Sequence, residues 1–333
     1  MKLLYKKEKY RRFNKHKVRR QNLKNIRDAK RRLYKKVHHK TDSDDSIEYE
    51  IIKFPDKLFL GEEILFEKIN AAATKDAVNL NFSQVKNISV GSALYIKAYV
   101  DAHMEKQNIR ISCSAQNKKM REILQHMELK NYGIPITHKD ISCWLLRHWT
   151  KTNPENYGKI MNNEILPKVL CNRGYSDKFS EIASNLHELL CNCCEHAYDD
   201  SDSFTGYYFI AGEYENKKGR SNNFTFCVID MGQGFRSSLR KNGLFSEIKE
   251  KLNIELDKDL IKAAVDGRFN ANPDENSGRG TGLPAVKETV HSIQGSLSIS
   301  SGTGHYTFDN AESLTERKNA TMGSIITVNL PIN

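Results

Sequence analysis

The sequence predicts an α/β protein with two folded regions behind a charged N-terminal arm. Residues 47–133 alternate between strand-like and helix-like segments, which is typical of an open α/β sheet. Apolar residues recur every three or four positions in Phe179–Cys193, which predicts a helix with one buried face. The apolar, β-branched and aromatic run Phe224–Ile229 predicts a buried strand. We therefore expect a small α/β domain at 47–133 and a second α/β domain at 176–333.

The N-terminal arm, residues 1–40, differs from the rest of the chain in charge. It holds 18 Lys or Arg against Glu8 and Asp28, for a net charge of +16, and because the whole chain carries +11, residues 41–333 carry −5. A thin apolar stripe predicts a basic helix from about Tyr5 to Val37. Such a segment attracts nucleic-acid phosphates without regard to sequence. An acidic protein partner, acidic membrane lipid or a merely solubilising role are the alternatives.

The segments of residues 47–133 come after a polar linker and have a definite order. They are an apolar stretch Ile51–Phe54, a helix Glu62–Ala73, a strand Ala77–Phe82, a helix Ser92–Met104, a strand Ile109–Cys113 and a helix Lys118–Leu129. This order resembles a STAS domain, the fold of anti-anti-sigma factors. That family usually has Asp-Ser-Ser-Gly where this chain has Ile88-Ser89-Val90-Gly91. The resemblance implies a module that binds a protein partner and has no chemistry of its own.

Residues 134–175 carry fewer signals. The apolar stretch Ile141–Trp149 predicts a buried helix, and Pro154 and Pro167 interrupt the residues after it. We therefore expect a helical connector between the two domains.

The first chemical pattern lies on the helix at Phe179–Cys193 and its continuation. Glu188, Asn192 and His196 are spaced at i, i+4 and i+8, so that all three point from one side of the helix. A carboxylate can position water as a general base, and a carboxamide oxygen is a ligand that magnesium accepts. Alone, such a pattern is usually the polar stripe of an ordinary amphipathic helix.

The second pattern begins where the predicted strand ends. Asp230 comes immediately after the apolar run, and Gly232 and Gly234 come directly after it. A carboxylate in such a place is costly unless a donor pairs with it, and the amino group of adenine is a suitable donor. Glycines let a planar base approach the backbone, although a simple Asp-Gly turn explains the same residues.

The third pattern is a glycine-rich loop that leads into a helix. Gly278, Gly280 and Gly282 are followed by Leu283 and Pro284, and proline suits the first turn of a helix. Such a loop offers backbone N–H groups and a positive dipole end to phosphates. The chain has no GxxxxGK[ST] loop, and no strand directly precedes these glycines as a dinucleotide fingerprint requires.

Together and in this order, the three patterns resemble the boxes of the GHKL ATPase superfamily, which groups DNA gyrase, heat-shock chaperone ATPases, histidine kinases and MutL. The resemblance covers about residues 176–333 and is nearest to the anti-sigma-factor serine kinases. The tail Gly323–Pro331 resembles the last strand of the family, with Ser324 where a threonine is usual. The resemblance implies a two-layer α/β sandwich of the GHKL (Bergerat) type that binds ATP and Mg²⁺.

The resemblance also implies roles for individual residues. Glu188 would be the catalytic general base, Asn192 the magnesium ligand, and Asp230 the group that recognises adenine. The interval 236–277 would form an ATP lid. The residues expected to contact the nucleotide are Asn192, His196, Asp230, Gly232, Gly234, Arg279, Gly280, Thr281, Gly282, Leu283 and Ser324.

From these patterns we expect an ATP-binding regulatory switch with slow Mg²⁺-dependent ATPase activity, in an assembly that can include nucleic acid or a second copy. A protein serine kinase of the anti-sigma type and a non-catalytic nucleotide-binding scaffold are the alternatives. No apolar stretch approaches 18 residues and no signal peptide is evident, so we expect a cytoplasmic protein without membrane contact. Seven cysteines, an odd number, do not suggest a disulfide framework.

Overall fold

The computed structural model describes part of the chain, and all of the described residues belong to one folded unit. They are residues 49–107, 110–115, 120, 127, 142–150, 179–199, 202, 205–213, 223–241, 250, 253–268 and 282–331. The basic arm and the linker after it lie outside these residues.

The first region has the predicted α/β order. Its elements are β1 (Glu50–Lys53), β2 (Lys57–Leu58), α1 (Glu63–Ala73), β3 (Ala77–Asn81), β4 (Asn87–Ile88), α2 (Val90–Gln107) and β5 (Arg110–Ser114). Strands β1, β3 and β5 form a parallel sheet in that order, and β2 pairs with β4. These bounds confirm the strands and the first two helices that the sequence predicts here. The helix expected at Lys118–Leu129 lies largely outside the described residues.

The prediction of a helix at Ile141–Trp149 is wrong, because Ser142–Thr150 forms a strand, β6. It pairs antiparallel with β7 (Gly206–Glu213) at the edge of a second sheet. Periodicity cannot separate a strand from a helix in an apolar run of this length, and here pairing decides. The expected helical connector therefore contributes a strand to the second sheet.

The second sheet has five strands in the order β6-β7-β8-β10-β9 and is antiparallel throughout. Strand β8 is Asn223–Asp230, β9 is Ser296–Asp309 and β10 is Ala311–Pro331. The tight β9–β10 turn uses Asn310 at φ 59°, a left-handed conformation that asparagine tolerates. In this register Ser324 of β10 lies opposite Asp230 of β8.

Side chains alternate across this sheet, so that each face has its own apolar cluster. Phe226 and Val228 of β8 point to one face, where they pack with α3 (Phe179–His196), α5 (Asp257–Val265) and α6 (Gly282–Ser292). We call this the front face. A further helix, α4 (Gly234–Lys241), comes soon after β8.

Helices of the first region cover the opposite, back face of the sheet. Cys227 and Ile229 of β8 belong to one buried cluster with residues of α1 and α2. Polar contacts join the same surfaces, because Tyr208 of β7 donates to Asp101 at 2.9 Å and the backbone N–H of Met322 donates to Tyr95 at 3.0 Å. The two regions expected as separate domains thus share a hydrophobic core.

Within the described part of the chain, no helix combines the length and the apolar character needed to cross a membrane.

Candidate functional site

Helix α3 carries the first predicted pattern along the edge of its buried face. Leu186, Leu189 and Cys193 are buried in the front core. Glu188 and Asn192 are half-buried, which leaves their polar atoms at the rim between core and solvent. His196 is exposed, and its ring approaches the neighbouring Glu195 carboxylate at 3.8 Å. Its backbone carbonyl accepts a hydrogen bond from Gln233, so this residue contacts the second pattern through its backbone.

The structure brings the third pattern against the first. Gly282, the first residue of α6, lies so close to α3 that an added Cβ would be 3.4 Å from Asn192 Nδ2 and 3.4 Å from Glu188 Cβ. A side chain at position 282 would fill space beside the two polar groups. Leu283 is partly buried against the front core. The remaining predicted members of this loop, Arg279, Gly280 and Thr281, lie outside the described residues.

A chain of hydrogen bonds through two buried side chains joins α6 to α3. Asn185 of α3 donates to the hydroxyl of Thr289 on α6, and that hydroxyl donates to the Glu181 carboxylate at 2.8 Å. Both Asn185 and Thr289 are buried, so the pairing satisfies groups that would otherwise be costly. The relative position of the two helices is thereby set by specific contacts as well as by apolar packing.

Asp230 lies at the end of β8 and is 4% exposed. Its carboxylate accepts the backbone N–H of Gly232 at 2.9 Å and hydrogen bonds from Ser324, and the thiol of Cys193 on α3 lies 3.9 Å away. Burial raises the pKa of Asp230 to about 6 in spite of these donors. A further donor would therefore stabilise the ionised carboxylate, as the amino group of an adenine would.

Two glycines next to Asp230 are required by close backbone contact. A Cβ at Gly232 would overlap the carbonyl oxygen of Ala197, and a Cβ at Gly323 would overlap that of Asp230. Gly323 also has φ +70°, a conformation that favours glycine. The segment after α3, the turn after β8 and strand β10 are thus packed backbone to backbone.

Two residues of this area were not predicted. The buried hydroxyl of Tyr198 accepts the backbone N–H of Met231 at 2.8 Å and donates to the carbonyl of Gly206. The hydroxyl of Ser301 accepts the backbone N–H of Phe235 at 3.0 Å and lies 3.4 Å from the Ser324 hydroxyl. No pattern in the sequence marks Ser301, whereas Tyr198 stands just after the first pattern.

The described residues of the interval 236–277, expected as an ATP lid, include most of α4 and all of α5, and both helices have specific contacts. Strand β9 anchors α5, because the Asp257 carboxylate accepts both the backbone N–H of Thr303 at 2.9 Å and its hydroxyl at 3.0 Å. Asp257 also pairs with Arg236 of α4. Ile261 and Val265 of α5 belong to the front core. The described residues of α5 thus pack as part of the core, whereas residues 242–249, 251–252 and 269–277 of the predicted lid lie outside the described part.

A cleft of about 740 Å³ lies between the end of α5, the outer side of α6 and the β9–β10 turn. None of the predicted site residues that the structure describes lines it. Three of its lining side chains are ion-paired, because Lys287 pairs with Asp266 at 3.3 Å and with Glu312 at 2.5 Å, and the neighbouring Lys262 pairs with the same two carboxylates. We interpret these ion pairs as a structural network that joins α5, α6 and the turn.

No protein-family model matches this chain, and no curated protein matches it either. In the portion of the chain that the structure describes, no group of three or more His, Cys, Asp or Glu side chains is arranged for a metal ion. The predicted role of Asn192 does not require such a group, since magnesium commonly keeps water and phosphate oxygens as most of its ligands.

Proposed function

We propose that this chain binds ATP with Mg²⁺ between α3, the turn after Asp230 and the start of α6, and that it hydrolyses ATP slowly as a nucleotide-controlled switch. The observation that carries the proposal is the approach of Gly282 to both Glu188 and Asn192, across 90 or more residues of sequence. Two of the three sequence patterns meet there, at side chains suited to water activation and magnesium binding.

In the proposed site, each of these residues has a separate chemical role. Glu188, half-buried at the rim, would accept the proton of the attacking water. Asn192 would offer its carboxamide oxygen to the metal ion, which would offset phosphate charge. Asp230 would accept a hydrogen bond from the amino group of adenine, and this added donor would favour the ionised carboxylate. The N-terminus of α6 would present backbone N–H groups to phosphate oxygens.

Membership of the GHKL superfamily is part of the proposal. It is supported by the order of the three patterns and by an antiparallel sheet with α3, α5 and α6 on one face. The tail of β10 supports it too, because the hydroxyl of Ser324 hydrogen-bonds to Asp230.

For partners, we propose that residues 1–40 bind nucleic acid, since they hold the positive charge of a chain that is otherwise net acidic. The STAS-like region would bind a protein through its exposed surface, because much of α2 is buried on the sheet. Removing residues 1–40 should abolish salt-sensitive binding to a nucleic-acid duplex. Retained affinity with an unchanged salt slope would contradict the assignment.

The deciding experiment measures Mg²⁺-dependent ATP binding and phosphate release by the full chain and three variants. Glu188→Ala should keep binding and lose turnover by about 100-fold or more, since a general base contributes that much. Asp230→Asn should lose most of its affinity. Glu195→Ala, on the same helix but exposed, is the matched control and should behave as wild type.

The other outcomes are equally informative. Binding by wild type without phosphate release would favour transfer to a protein serine, or a scaffold role, over hydrolysis. Absence of ATP binding by folded wild-type protein would refute the proposed function.

A further inference from the structure

Tyr198 occupies a junction between the segment after α3 and the turn after β8. Its side chain is 2% exposed, and its hydroxyl lies between the backbone N–H of Met231 and the carbonyl of Gly206. The phenol has a single proton, which must go to the carbonyl, and its oxygen accepts from the N–H. Burial raises the pKa of Tyr198 far above its usual value, so this arrangement persists at any physiological pH.

Three further contacts join the same two segments. The backbone N–H of Gln233 donates to the Ala197 carbonyl at 2.9 Å, and the Gln233 side chain donates to the His196 carbonyl at 3.2 Å. Gly232 packs on the Ala197 carbonyl without room for a Cβ. Among these contacts, that of Tyr198 is the one made by a buried side chain, and it is anchored on β7 as well.

This junction stands between the groups to which the proposed function gives roles. Met231 directly follows Asp230, and Tyr198 ends the segment that continues α3, which carries Glu188 and Asn192. Loss of the hydroxyl would free the Met231 N–H and allow the turn to shift relative to α3. A hydrogen bond to a base is sensitive to shifts of a few tenths of an ångström, since its strength depends on distance and angle.

We propose that Tyr198 is a positioning residue of the nucleotide site, whose hydroxyl sets the place of Asp230 relative to Glu188 and Asn192. This inference rests on the proposed function. It assigns to Tyr198 a part in base selectivity, although its side chain does not itself need to contact the nucleotide.

The test compares Tyr198→Phe with Tyr208→Phe. Tyr208 belongs to the same buried cluster as Tyr198 and is also 2% exposed, but it donates its hydroxyl proton to Asp101 of α2. The measured quantity is the dissociation constant for purine riboside triphosphate, which lacks the 6-amino group, divided by the dissociation constant for ATP, at a temperature well below each melting midpoint. In wild type we expect ATP to bind about tenfold or more tightly than the analogue, as a hydrogen bond to a charged group allows.

Tyr198→Phe should reduce this ratio by about threefold or more, and Tyr208→Phe should leave it unchanged. A loss of stability alone would lower both affinities together and would not alter their ratio in the folded fraction. A second variant, Gln233→Leu, removes the partly exposed contact to His196 and should lower the ratio in the same direction by a smaller factor. It provides the test if Tyr198→Phe does not fold.

The inference and the proposed function fail in different ways. If wild type discriminates between the two nucleotides and both junction variants keep the full ratio, the role of Tyr198 is overturned and the ATP site stands. If folded wild type binds neither nucleotide, the proposed function fails, and the positioning role fails with it.

Discussion

The front and back faces of the five-stranded sheet are both covered by helices, but the two layers differ in the polar groups they hold. On the back, every residue of α2 from Gly91 to Val100 is buried. Two of its polar side chains have partners within the fold, because Lys97 binds Asp101 at 2.6 Å and the Tyr95 hydroxyl accepts the backbone N–H of Met322 at 3.0 Å. On the front, Glu188 and Asn192 are half-buried at the rim of α3, beside a glycine that leaves room next to them.

The difference separates groups that hold the fold together from groups that remain able to bind. In the pair of Lys97 and Asp101, the buried ammonium group is already neutralised by its neighbour, and breaking the pair for a ligand would leave that charge uncompensated. Half-buried groups such as Glu188 and Asn192 keep the capacity to bind, and Gly282 beside them has no side chain to fill the neighbouring space. Both faces of the sheet therefore hold a hydrophobic core, and the proposed site lies at the rim of the front one.

Removing the back layer should have the largest effect. Deletion of residues 1–133 would expose Cys227, Ile229 and Ile325, which are now at most 2% exposed. We expect the remaining chain to aggregate, because an exposed apolar sheet face is an association surface. Deletion of residues 1–46 is the control and should give a cooperatively melting protein, as the described residues belong to one unit that begins at Tyr49. Size-exclusion chromatography measures the association state of each fragment, and thermal unfolding measures its cooperativity. A 134–333 fragment that is monomeric and unfolds cooperatively would contradict the shared core.

Two glycine substitutions compare a position where a Cβ would be strained with a position where a Cβ can be accommodated. Gly323→Ala adds a Cβ at φ +70° and against the Asp230 carbonyl, so it should destabilise by about 2 kcal/mol or more. Gly282→Ala is the counterpart, because its Cβ would meet Glu188 and Asn192 at ordinary contact distance. It should change stability by under about 1 kcal/mol and weaken Mg-ATP binding instead. Denaturant unfolding measures the stability of each variant, and nucleotide titration measures its affinity for Mg-ATP. Equal losses of stability in the two variants would contradict the expected difference between the two glycines.

Much of this arrangement can be predicted from the sequence, and the parts that cannot have a common cause. Local patterns predict the helix that carries Glu188, which has one buried face, and the strand that ends at Asp230, which is a continuous apolar run buried on both faces. Long-range pairing makes Ser142–Thr150 a strand and buries α2 on the sheet, and neither is encoded in a local pattern. Tyr198 and Ser301 were not predicted, because their hydrogen bonds are to backbone groups of distant segments. The type of residue at a position does not indicate such contacts.

The smallest predicted effect is the change in the free energy of unfolding that comes from burying the ionised carboxylate of Asp230. Burial raises the pKa of Asp230 from its usual 3.8 to about 6, so the folded protein holds this proton more tightly than the unfolded chain. The resulting stability is fully present below pH 3.8 and is lost as the pH rises through about 6. At pH 8 the ionised group is a net cost, which Asp230→Asn removes. The amide accepts fewer of the present donors, so we expect a net gain of only about 1 kcal/mol.

Urea unfolding of wild type and Asp230→Asn at pH 5 and pH 8 measures this contribution, since groups unaffected by the substitution cancel in the comparison. The variant should gain stability relative to wild type between the two pH values, while it loses ATP affinity. A stability difference that is the same at both pH values would show that Asp230 does not titrate in this range. A gain in stability together with a loss of binding would mean that the front face retains a costly carboxylate because the carboxylate is needed for a ligand.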